Sequence, residues 1–114
     1  MVLDVREYID TAGRSPFTKW LRALNVQAAA KVATALERIA EGNLSNVKTA
    51  GSGVLEYKVD FGPGYRIYFG RDGDQLIILL AGGMKKRQRK DIRQAKANWE
   101  DYKNRKTKEK TRCH

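Results

Sequence analysis

Cysteine and histidine are nearly absent from this 114-residue chain: Cys113 and His114 are the only examples, and they are its last two residues. One cysteine permits no internal disulfide, and together they are too few for an intrachain zinc cluster. A single terminal histidine excludes a two-histidine ribonuclease arrangement. No serine or cysteine in the body has an adjacent base that would make it a nucleophile. Gly82-Gly83 lacks the Gly-x-x-x-x-Gly-Lys-Ser/Thr pattern of a phosphate loop. Asp72 and Asp74 fall in a turn signal, where a solvated role is the ordinary one, so no metal or cofactor is expected. No run approaches the ~20 apolar residues of a membrane span, and no N-terminal stretch resembles a signal peptide. Scarce cysteine fits a reducing compartment and is also compatible with secretion; the cytoplasm is the expected location.

Acidic charge is scarce in one region only. Residues 1–84 hold ten Lys/Arg and nine Asp/Glu, a net of 10 − 9 = +1; residues 85–114 hold thirteen and four, a net of 13 − 4 = +9. The body is near neutral and one terminal segment makes the field. That asymmetry points to a polyanion, nucleic acid first and an anionic membrane surface second. A merely solvated basic tail is the plainer reading. Against it, the run starts directly after the apolar segment Leu76–Ala81, so its first residues are fixed at the end of a strand.

The length is that of one domain, with a hydrophobic fraction of 41% that suits a buried core. We place the domain at residues 1–105 and a flexible basic tail at 106–114. Val2–Tyr8 reads as a first strand. Ser15-Pro16 starts a helix, with serine as cap and proline in the first turn. Phe17, Trp20, Leu21 and Leu24 then follow at helical spacing. Asn25 caps a second helix from Val26 to Glu41, whose apolar side is read as Ala29, Val32, Ala33, Leu36, Ile39 and Ala40. Gly42 ends it. The two helices are expected to form an antiparallel hairpin. Asn43–Gly53 reads as a loop. Val54–Phe61 alternates, with Leu55, Tyr57, Val59 and Phe61 on one side and Glu56, Lys58 and Asp60 on the other. Tyr65–Phe69 is the next strand, and Asp72-Gly73 a hairpin turn. Gln75–Ala81 is apolar on both faces, a covered central strand. Gly82-Gly83 is expected to break it. A last helix carries Ile92, Ala95, Trp99 and Tyr102 and frays beyond Arg105. The fold class is α+β, order β-α-α-β-β-β-α: a small antiparallel sheet with a helical hairpin on one face.

On that scaffold Lys58, Arg66 and Tyr68 share the polar face, and the third strand delivers Lys85, Lys86 and Arg87 at its end. Each has a plainer role. Lys58 can pair with Glu56 or Asp60, and Arg66 with Asp60. Tyr68 can be an ordinary strand tyrosine, and Trp99 and Tyr102 helix packing. Cations disfavour a helix N-terminus, so Lys85 and Lys86 suggest an anion there.

The segments Leu55-Glu56-Tyr57-Lys58, Gly64-Tyr65-Arg66-Ile67-Tyr68-Phe69 and Leu79-Leu80-Ala81-Gly82-Gly83-Met84-Lys85-Lys86, followed by an alanine-bearing helix, resemble the RelE/ParE superfamily of bacterial type II toxins, in its HigB-like branch of addiction module killer proteins. The resemblance covers roughly Val2 to Tyr102. It implies a ribosome-dependent endoribonuclease (an mRNA interferase that arrests growth), a cognate antitoxin, and operator DNA bound only through the toxin–antitoxin complex. It also implies metal-independent attack of a 2′-hydroxyl on its own phosphate, with no cofactor and no membrane. By position, Lys58 matches a strand cation on the scissile phosphate or a proton acceptor, Arg66 the transition-state arginine, and Lys86 a basic residue on phosphate or the leaving oxygen. Lys85, Arg87, Arg89, Lys90, Arg93 and Tyr68 fall among nucleic-acid contacts. Where nuclease members carry a tyrosine early in the last helix, this chain has Ile92. Asp91 beside it becomes the candidate for proton transfer. The missing tyrosine favours a ParE-type inhibitor of DNA gyrase; the Lys/Arg set favours cleavage; a plain nucleic-acid-binding module is the third reading. The nuclease reading requires Lys58 and Arg66 on one face of the sheet, unblocked by their acidic neighbours.

Overall fold

The structure, a computed structural model, describes residues 2–112, with side chains from 2 to 108; the two terminal residues Cys113 and His114 lie outside the described residues. The chain runs β1 (Asp4–Glu7), α1 (Pro16–Arg22), α2 (Val26–Ala40), β2 (Val47–Gly51), β3 (Val54–Val59), β4 (Tyr65–Asp72) and β5 (Leu76–Met84). A 3-10 turn at Lys85–Arg87 then leads into α3 (Gln88–Arg112). The expected α+β class is the one observed. One five-stranded sheet has the order β1-β5-β4-β3-β2.

The caps read from sequence are present. The Ser15 side chain accepts from the Thr18 amide at 3.0 Å with Pro16 in the first turn, and Asn25 accepts from the Ala28 amide at 2.8 Å. Each satisfies a donor that a helix N-terminus leaves open. The apolar phase of α2 differs from the expected one: Ala28, Val32, Ala35 and Ile39 are buried while Ala33 is exposed. Alanines flank the stripe on every side, so they could not set its phase. α1 packs chiefly on β5 and also contacts α2, and both helices cover the same core.

Three further features differ. The segment read as a loop contains β2, which pairs with β3. β1 lies parallel to β5, so the sheet is mixed rather than antiparallel throughout. And β5 does not stop at Gly82-Gly83 but continues to Met84. Gly82 lies beneath Trp20 and Gly83 beneath Asp91, where a Cβ would stand 2.0 Å and 1.8 Å from those side chains. Here glycine marks close approach, not a turn.

Both faces of the sheet are covered. Phe17, Val32, Ile39, Ile67, Phe69 and Ile77 belong to the core under α1 and α2. Val54, Tyr68, Ile78, Leu80, Ala95 and Trp99 belong to a second core under α3. Each such large side chain contributes about 1.5–3 kcal/mol by burial. A bulge in the β4–β5 pairing leaves Leu80 without an opposite residue, and both Leu80 and Ala81 join the second core. Trp99 occupies the space above Gly53 and Gly70, where a Cβ would meet its ring at 2.8 Å and 2.7 Å. Trp99 and Tyr102 stack at 5.4 Å, and Tyr102 donates to Asp72 at 2.6 Å, so the packing role holds for both. α3 continues past Arg105, where fraying was expected, and Lys106 reaches Asp72. Among the described residues no helix is long and apolar enough to cross a membrane.

Candidate functional site

The apolar cover supplied by α3 ends near its own N-terminus, and there the same face of the sheet turns polar. Strand pairing puts Lys48 opposite Glu56, Glu56 opposite Tyr68, Lys58 opposite Arg66, and Arg66 opposite Gly83. Paired residues share a face. Lys58 and Arg66 are therefore neighbours on one surface, as the nuclease reading requires. Lys48, from the strand read as a loop, joins them. These side chains line a groove of about 390 Å³ together with Ser45, Asn46 and Asp60, within the size range of small-ligand sites.

The second requirement, cations unblocked by acids, is not met at Arg66. Its Nη1 donates to Glu56 Oε2 at 2.6 Å, and the two side chains are 11% and 7% exposed. The partner is therefore Glu56 and not the expected Asp60. Asp60 pairs instead with Lys58, at 3.6 Å and largely in water, a contact worth little. Gln88, in the first turn of α3, donates to the other Glu56 oxygen at 3.1 Å. Glu56 is thus a fixed carboxylate on the groove floor, held by a guanidinium and an amide. It is the residue sequence reasoning undervalued, since in an alternating strand it looked like a solvent-side charge. Gln88 carried no sequence signal.

Around this pair lie buried polar atoms without a hydrogen-bond partner among the described residues: Arg66 Nε, Tyr68 Oη and Asp91 Oδ2. Such groups cost free energy unless water or a ligand reaches them. Burial, then the nearby Glu56 charge, holds the Tyr68 phenol above its ordinary range; Asp91 adds to this and Arg66 opposes it. Tyr68 is fully buried, so it is a wall of the second core and not a surface contact. Burial also raises the Asp91 carboxyl against the lowering effect of Arg87 and Lys90. Asp91 lies on Gly83, the residue opposite Arg66.

The remaining cations read from sequence are Lys85, Lys86, Arg87, Arg89, Lys90 and Arg93. All are exposed or nearly so and none forms an ion pair among the described residues. None lines the groove itself. The Lys85 amide donates to the Gly64 carbonyl at 3.2 Å, so the Lys85–Arg87 turn is fixed beside the β3–β4 connection, one residue before Gln88.

Residues 19–100 match the model of the phage-derived protein Gp49-like family (DUF891). That stretch contains every residue of the groove and of the basic turn. The chain is also similar to an uncharacterized protein of Haemophilus influenzae (strain ATCC 51907 / DSM 11121 / KW20 / Rd), 42% identical over 81 residues, which are 70% of this chain and 82% of the relative. On the extent of these matches, the chain belongs to the phage-derived Gp49-like family (DUF891).

Proposed function

We propose that the chain is the toxin of a type II toxin–antitoxin pair, of the HigB-like RelE/ParE kind, and that it cleaves translated messenger RNA on the ribosome without a metal. The observation that supports this reading is the groove in which Lys48, Lys58 and Arg66 share one face of the sheet; the pairing of Arg66 with Glu56 counts against it unless Glu56 itself serves as the base. Attack of a 2′-hydroxyl on its own phosphate needs a base, fixed cations and an acid. Glu56 takes the 2′-hydroxyl proton as the 2′-oxygen–phosphorus bond forms. Arg66 and Lys58 meet the charge of the pentavalent phosphorus. Asp91, whose burial favours the protonated form, gives its proton to the 5′-oxygen as that bond breaks, leaving a 2′,3′-cyclic end. Lys85 and Lys86 hold a flanking phosphate. The antitoxin, the ribosome and the message are the partners this reading entails, with operator DNA reached only through the antitoxin complex and the cytoplasm as the setting.

The neutralisation of Arg66 by Glu56 favours a second reading, a ParE-type inhibitor that binds DNA gyrase without chemistry. Expression in a bacterial host with primer extension on a translated message separates the two. Codon-linked cuts that vanish in Glu56→Gln and in Arg66→Ala are expected. An intact message with an induced DNA-damage response selects gyrase. Undisturbed growth rejects both and leaves a basic nucleic-acid-binding module.

A further inference from the structure

α3 lies chiefly over β5, β4 and β3, and two contacts fix which of its flanks faces β2. Gln88 bonds Glu56, whose strand partner is Lys48. Eight residues later Lys96 lies against Gly51, its Nζ 3.2 Å from where a Cβ would stand. Eight helical residues rise about 12 Å, and Lys48 to Gly51 spans about 10 Å of strand. One flank of the helix therefore faces the β2 side of the sheet from the groove outward. At 100° per residue, Arg89, Arg93 and Lys96 fall within an arc of about 60°, the arc that Lys96 places over β2. The opposite flank is tied to the far edge of the sheet, where Tyr8 donates to Asp101 at 2.7 Å. None of the three cations forms an ion pair among the described residues, and Glu100, paired with Lys103 at 3.0 Å, ends the row.

We propose, resting on the RNA-cleavage reading, that a single strand of RNA leaves the Glu56–Arg66 groove along the β2 edge, its phosphates held by Arg89, Arg93 and Lys96. Charge complementarity selects a polyanion. The recessed floor of the groove suits one backbone, which can turn into it, and not a rigid duplex. A membrane surface is disfavoured, because the large exposed apolar residues among those described are Val2, Ile9 and Val26, and none of them belongs to α3.

The test is fluorescence anisotropy of a labelled single-stranded oligoribonucleotide at a series of KCl concentrations, with the full chain. For single strands each phosphate contact contributes about 0.7 to the slope of log affinity against log salt. The triple variant Arg89→Gln/Arg93→Gln/Lys96→Gln should lower the slope by about 2. The equally charged control Lys19→Gln/Arg22→Gln/Arg38→Gln, on the other side of the sheet, should leave it unchanged. Equal slopes in the two variants, no binding by the parent chain, or an equal loss on duplex DNA or on anionic vesicles each overturns the proposal. Message cutting is scored separately: flank-dependent binding without cutting defeats the cleavage reading alone, whereas cutting with an unchanged slope defeats the RNA path alone.

Discussion

Removing one member of the Glu56–Arg66 pair should cost far more stability than removing both. The two side chains are 7% and 11% exposed and their contact is 2.6 Å. In Arg66→Met the Glu56 carboxylate keeps only the Gln88 amide, at 3.1 Å. Breaking a buried pair from one side costs about 3–5 kcal/mol, whereas well-packed apolar replacements of both partners are commonly neutral or stabilising. In Glu56→Leu/Arg66→Met the Gln88 amide loses its acceptor, about 1 kcal/mol, so the double variant should stay within about 1–2 kcal/mol of the parent. With a urea dependence of about 2 kcal/mol per molar, single variants should lose roughly 1.5–2.5 M in midpoint and the double variant less than about 1 M. The four urea curves form a cycle whose coupling measures the pair directly. If the double variant is as unstable as the singles, the pair is present for stability, and its position on the groove floor no longer argues for function. If the double variant folds well and message cutting is lost, the pair is kept for chemistry.

Two more tests address the surroundings. Asp91 has its carboxyl raised above 3.8 by burial, so the folded state binds that proton more tightly than the unfolded chain. Stability therefore falls as pH rises from 3.8 through the folded value. Asp91→Asn should gain on the parent across that window and hold the gain at pH 7; urea midpoints from pH 3 to 7 check it, and a pH-independent difference refutes it. Gly70→Ala would put a Cβ 2.7 Å from the Trp99 ring. It should cost about 1–3 kcal/mol by overpacking, read as a lower melting temperature; an unchanged melting temperature would mean that α3 is not locked at Trp99.

The helices, their caps and the doubly covered strand were legible because each has a local cause: Ser15-Pro16, Asn25, and a strand apolar on both sides. β2 was not. Val47–Gly51 is an edge strand with no alternating apolar set, and its one usable signal was the turn that follows. Ser52 and Gly53 both adopt positive φ, at 55° and 83°, the conformation two-residue hairpin turns demand. Missing β2 meant missing Lys48. The shared face of Lys58 and Arg66 followed from alternation alone. The partner of Arg66 did not, because Glu56 and Asp60 lie on the same side of β3 and only the strand register decides between them. Gly82-Gly83 misled for a related reason: a glycine relaxes the backbone in a turn and admits a neighbour in a sheet, and sequence alone does not say which.

The candidate site depends on packing that occurs well away from it. Trp99 occupies the space that Gly53 and Gly70 leave open, and this contact helps to fix α3 lengthwise and in rotation. Eleven residues back along the helix, about 16 Å, Gln88 then arrives at Glu56, and eight residues back Asp91 arrives above Gly83. A rotation of α3 by one residue, about 100°, would take both side chains off the sheet and leave the Glu56 carboxylate with Arg66 alone. The second core is thus what orients the polar groove, and substitutions at the Trp99 contact should disturb Glu56 without touching it.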